Sequence, residues 1–132
     1  MTEGQWHDLV QALRDTGSGE RAINAASTLK SAASAEDIPR LKALLDDESF
    51  FVREAAAWPL SDLGCIDALP ALIRAQRRGY AEGYDNDGLN AALADLVCAY
   101  PAASRPILKG IATGSDEGTC ETANWLLEFC GS

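Results

Sequence analysis

The chain has 132 residues, of which 47% are apolar and 23% charged, and it carries a formal charge of −9. That balance suits a folded domain and excludes a disordered one, and no apolar run is long enough to span a bilayer. The surplus of negative charge repels phosphate backbones, so nucleic acid is not an expected partner, whereas a basic protein is.

In chain order, Thr2 and Gln5 have the spacing of a capping box ahead of Trp6, Leu9, Val10 and Leu13, which predicts a first helix. Gly17-Ser18-Gly19 breaks it, and Ala22, Ile23, Ala26 and Leu29 form the apolar stripe expected of a second. Pro39 opens a third helix with Asp37 as its cap, because first-turn N–H groups have no intrahelical acceptor to lose. After an Asp-Asp-Glu-Ser turn, Val52, Ala55, Ala56, Leu60 and Leu63 recur at helical spacing. Pro59 falls inside that stretch and predicts a bend near Ala55 to Trp58.

Leu69-Pro70-Ala71-Leu72 opens a fifth helix in the same manner, with Asp67 nearby. Arg74, Arg77 and Arg78 gather near its end, where cations suit the helix dipole. Leu89, Ala92, Leu93, Val97 and Tyr100 form the next stripe. Arg105-Pro106-Ile107-Leu108 reads as a third proline-opened helix capped by Ser104, and Ala123, Leu127 and Cys130 mark the last. The three prolines, 39, 70 and 106, fall 31 and 36 residues apart. No strand-length alternation occurs. Helical pairs at such a period bury their apolar faces by stacking, so the expected fold is all-α: a short right-handed α-solenoid of about four helical hairpins, one domain over residues 1–132.

Residues 37–78 carry a more specific pattern. Pro39 and Leu41, Leu44 to Asp47, Val52-Arg53 and Ala56 to Gly64 match Pro-x-Leu, Leu-Leu-Asp-Asp, Val-Arg and Ala-Ala-x-x-Leu-x-x-Leu-Gly. This resembles bacterial HEAT repeats. Trp58-Pro59 departs from the helix-favouring residues usual there. Similar repeats occur in scaffolding proteins, in small immunity-type proteins that neutralise toxins, and in phycobilin lyases. The resemblance implies a non-enzymatic protein-binding scaffold, an immunity protein for a cognate toxin being its most concrete version. A tetrapyrrole lyase or chaperone is the alternative.

Little in the sequence suggests catalysis or a cofactor. His7 is the sole histidine, so a His-based zinc site or a Ser–His pair is not expected, and no GxSxG is present. Cys65, Cys98, Cys120 and Cys130 contain no CxxC and read as buried thiols. Asp85-Asn86-Asp87-Gly88 suggests a calcium loop, but with Gly88 as the turn glycine Gly83 and Ala94 would occupy liganding positions. The absence of a basic, apolar leader makes the cytoplasm the expected compartment. Residues 79–132 hold eight acidic and two basic residues, a charge of −6, against −3 for residues 1–78. The connection from Gly79 to Asn86 presents Tyr80 and Tyr84, residue types favoured at interfaces. Trp58, Tyr80, Tyr84, Asp85, Asp87 and Glu121 are therefore the candidate partner-binding residues. Asp85 or Asp87 also has the chemistry to cap the following helix.

Overall fold

The computed structural model describes residues 1–131, and all regular structure among them is helical. Eight α-helices follow in order: α1 Glu3–Leu13, α2 Gly19–Ala32, α3 Ile38–Leu44, α4 Phe50–Asp62, α5 Leu69–Ala81, α6 Asp87–Ala99, α7 Pro101–Ala112 and α8 Glu117–Leu127. Short 3-10 turns precede α3 (Ala35–Asp37) and α5 (Ile66–Ala68), and a third, Glu128–Cys130, follows α8. The helices group into two compact units, Met1–Leu63 and the chain from Gly64 onward.

In the first unit α1 begins as its sequence dictates. The Thr2 hydroxyl accepts from the Gln5 N–H at 3.1 Å, and the Gln5 carboxamide accepts from the Thr2 N–H at 2.8 Å. Ser18 caps α2 by accepting from the Arg21 N–H at 3.2 Å. The pairs α1–α2 and α3–α4 pack internally, and α2 lies against α4. Leu13, Leu29, Leu41, Leu45, Val52, Ala56 and Leu60 form the core. Burying each leucine contributes roughly 1.5–3 kcal/mol. The stripe of α2 differs from expectation, because Ala25 is buried while Ile23 is 62% exposed. In an alanine-rich helix the small side chains leave the buried face weakly marked.

Two arginines fasten this unit. Arg53, wholly buried on α4, donates to the Asp47 carbonyl at 2.8 Å and the Glu48 carbonyl at 3.2 Å, closing the α3–α4 turn. Arg40 on α3 lies over the Trp6 ring, 4.3 Å from its centroid, and pairs with Glu3 at 3.1 Å, which ties α3 to α1. Asp37 does not cap α3. Its buried carboxylate accepts from the Ser34 N–H at 2.8 Å and from Arg40 Nε at 3.0 Å. Burial alone would raise its pKa, but those bonds and the Arg40 charge hold it below the usual carboxylate value. Asp47 behaves alike: burial opposes ionisation, yet Arg14 and the Ser49 N–H lower its pKa. α4 runs through Pro59 without interruption, although Pro59 lacks the N–H that the Ala55 carbonyl would normally take.

The second unit opens at Gly64, whose φ of +69° favours glycine. The Tyr100 ring lies so close that a Cβ on Gly64 would sit 2.7 Å from its hydroxyl. Leu69, Leu72, Ile73, Leu89, Leu93, Leu96, Val97, Leu108 and Leu126 fill the core between α5, α6, α7 and α8. α7 starts five residues before Pro106, at Pro101. Ser104 therefore lies inside the helix, where its hydroxyl donates to the Tyr100 carbonyl at 2.7 Å rather than capping. Pro39, Pro70 and Pro101 are the helix-opening prolines, and they fall 31 residues apart both times. The thiols also differ from expectation: Cys130 is buried, Cys98 is exposed, and Cys65 and Cys120 lie between.

Candidate protein-binding surface

The sequence Arg77 to Gly88 forms an ordered corner. α5 continues through Tyr80 to Ala81, one turn further than a loop beginning at Gly79 would allow. Gly83, at φ +92°, then closes the helix. The Gly83 N–H donates to the Tyr80 carbonyl at 3.0 Å and the Tyr84 N–H to the Gly79 carbonyl at 2.9 Å, the paired bonds of a Schellman motif. Asn86 follows in the left-handed region at φ 61° and is wholly buried. Its Nδ2 donates to the Gln76 carbonyl at 2.7 Å, and its Oδ1 packs against Gly79, where any Cβ would collide with it. The Asp85 carboxylate accepts from the Asp87 N–H at 3.1 Å, so Asp85 tethers the first residue of α6 while Asp87 begins that helix.

Asn86 anchors the corner from beneath, which leaves its outer residues displayed on a fixed backbone. Tyr80 is 42% and Tyr84 48% exposed, and Asp85 and Asp87 are exposed beside them. Behind the corner lies a cleft of about 270 Å³ built by α5 (Gln76, Arg77, Tyr80), α6 (Asn90) and α8 (Glu121, Thr122, Trp125). Its floor is a chain of hydrogen bonds. The Thr122 hydroxyl donates to Gln76 Oε1 at 2.8 Å, Gln76 Nε2 to Asn90 Oδ1 at 2.7 Å, and Asn90 Nδ2 to the Tyr80 hydroxyl at 2.9 Å. Arg77 lies 5.5 Å from the Tyr80 ring centroid, and its guanidinium covers Gly118. At the start of α8 the Thr119 hydroxyl and N–H donate to Asp116 and lower its pKa, with the Arg77 charge assisting.

Of the candidate residues, Tyr80 and Glu121 line this one cleft, and Tyr84, Asp85 and Asp87 occupy the adjoining corner. Trp58 belongs to the first unit, half-buried with the Lys30 ammonium 5.8 Å from its ring centroid. Gln76, Asn90, Thr122 and Trp125 are cleft residues that sequence reading missed. Gln76 carried a signal: it is a polar residue in register with Leu69, Leu72 and Ile73 on the buried stripe of its helix. Thr122 and Gln76 lie 46 residues apart, and nothing local joins them.

The arrangement offers hydrogen-bond donors, acceptors and aromatic faces. His7 is exposed on α1, and no cluster of three potential metal ligands occurs among the described residues. No described helix is long and apolar enough to cross a membrane.

The helix pairs and their proline openings define a class, and a family model confirms it. Residues 7–82 match the model for HEAT repeats, more than half of the chain. The protein belongs to the HEAT-repeat family, and that membership assigns it to the α-solenoid fold class. HEAT-repeat proteins generally mediate protein–protein interactions and are typically non-catalytic. No curated protein and no solved structure matches the chain.

Proposed function

We propose that this protein is a non-enzymatic binding module of the cytoplasm whose acidic surface docks a basic protein. The observation that carries the reading is the α5–α6 corner: two half-exposed tyrosines and two exposed aspartates on a backbone locked by Gly83 and the buried Asn86. Tyrosines held in one place contribute contact area at small entropic cost, and clustered acids steer a cationic partner into encounter. The HEAT family supplies the general role, and the charge of −6 over residues 79–132 supplies the sign of the partner. The most concrete version is an immunity protein that occludes a basic toxin domain. Trp58, in the first unit, is a separate candidate contact residue.

The test is affinity purification from the native host with quantitative mass spectrometry, using wild type beside Tyr84→Ala and Asp87→Lys. A basic protein recovered by wild type and depleted from both variants supports the reading. Identical recoveries from all three would make the corner a connector only. For the immunity version, co-expression of the recovered partner should arrest growth unless this protein is present.

A further inference from the structure

The hydrogen-bond chain on the floor of the cleft has two possible directions. In the structure it runs outward, from Thr122 through Gln76 and Asn90 to the Tyr80 oxygen, which leaves the phenolic hydrogen free to donate at the corner. One member is over-committed in that direction. The Thr122 hydroxyl has a single hydrogen, yet it faces two acceptors: Gln76 Oε1 at 2.8 Å and, one turn back on its own helix, the Gly118 carbonyl at 3.2 Å. A half-turn of each carboxamide exchanges its oxygen and nitrogen, reverses every bond and removes the conflict. Gln76 Nε2 then donates to the Thr122 oxygen, whose hydrogen goes to Gly118 alone. Asn90 Nδ2 donates to Gln76 Oε1, and the Tyr80 hydroxyl donates to Asn90 Oδ1. The separations along the chain, 2.8, 2.7 and 2.9 Å, suit both directions.

We infer that this chain is a reversible relay, joining the Tyr80 hydroxyl on α5 to Thr122 on α8. Gln76 is 3% and Thr122 5% exposed, so solvent does not replace a bond lost at that end, and the two carboxamides turn together. At the other end Tyr80 is exposed, and the direction of the chain sets what it offers: a hydrogen in the outward run, two free lone pairs in the inward run. A contact that accepts from Tyr80 favours the outward run, and one that donates to it favours the inward run. Either choice is registered on α8, through a bond between residues 46 apart in sequence. The inference concerns the cleft floor itself and does not depend on which partner meets the corner.

The experiment is NMR relaxation dispersion of side-chain amide nitrogens in the full-length protein, read at Gln76 Nε2 and Asn90 Nδ2. Wild type should show microsecond-to-millisecond exchange at both amides with one shared rate, and the exposed carboxamide of Asn124 should not share it. Thr122→Val removes the hydroxyl at nearly constant volume. In the inward run Gln76 Nε2 would then be a buried donor without an acceptor, which is less tolerable than an unserved Oε1 in the outward run, so the variant holds the chain outward. Exchange should be lost at Gln76 and equally at Asn90, whose side chain bonds to Gln76 and Tyr80 rather than to Thr122. Asn90→Asp is a second lock, because a carboxylate only accepts; it holds Gln76 Nε2 as the donor and should flatten the Gln76 profile. Circular dichroism equal to wild type shows that each variant is folded. Flat profiles in wild type, unrelated rates at the two amides, or exchange at Asn90 that survives Thr122→Val would overturn the relay.

Discussion

Asn86 is the residue on which the displayed corner depends, and replacing it separates two contributions. Its backbone is left-handed, at φ 61°, its side chain is wholly buried, and Nδ2 donates to the Gln76 carbonyl at 2.7 Å. Asn86→Ala loses that bond, worth about 1 kcal/mol, and places an ordinary Cβ residue in the left-handed region, at roughly 1–2 kcal/mol. A total near 2–3 kcal/mol is expected. Asn86→Gly loses the bond but not the backbone compatibility, and should be milder by about 1 kcal/mol. Asn86→Asp keeps the shape and substitutes a carboxylate oxygen for the donor facing a carbonyl. It should therefore destabilise more than Asn86→Ala at pH 7, and less at pH 4, where a protonated carboxyl can donate. Hydrogen exchange of α5 and α6 amides, each variant against wild type at the same pH, reads the effect in this unit directly. Equal protection in the alanine and glycine variants would refute the backbone argument, and a neutral Asn86→Asp would refute the donor argument.

Other outcomes follow from the same reasoning. Arg53→Ala should destabilise the first unit by about 3 kcal/mol, because a buried cation and its bonds to two turn carbonyls are lost together; urea unfolding monitored by circular dichroism measures it, and a cost below about 1 kcal/mol would deny the arginine its role. Leu93→Ala should cost roughly 2–5 kcal/mol, as for other buried leucines; thermal unfolding of the variant checks it. Asp37 and Asp47 have lowered folded-state pKa values, so the stability they contribute is complete above the ordinary carboxylate value of 3.8 and lost as pH falls through the lower folded values. Acid unfolding of Asp37→Asn should accordingly show a shallower pH dependence than wild type below about pH 4, and an identical slope would contradict the assignment.

Local signals in the sequence were strong where a short-range hydrogen bond decides the structure. Thr2 and Gln5 form the reciprocal cap their spacing predicts, and Pro39 and Pro70 open helices. Misleading signals came from a motif that imitates another. Arg105-Pro106-Ile107-Leu108 copies the pattern at Pro39, yet Tyr100-Pro101 starts the helix, and the repeated 31-residue interval was the better indicator. Asp37 failed as a cap because its carboxylate is taken by Ser34 and Arg40, a competition that residue type alone does not reveal. The corner was partly legible: Tyr80, Tyr84 and the acids stood out, but the buried anchor Asn86 did not. The cleft floor was not legible, since Gln76, Asn90 and Thr122 meet through packing of three helices rather than through spacing.

The central claim is that an acidic surface meets a basic protein through the α5–α6 corner. The most direct measurement is the association rate of the recovered partner with wild type and with Asp85→Lys/Asp87→Lys, followed as salt is raised. The account predicts a wild-type rate that falls steeply with ionic strength and a double variant that is at least tenfold slower at low salt, with helix content unchanged. A rate indifferent to salt, or a double variant that associates as fast as wild type, would contradict it.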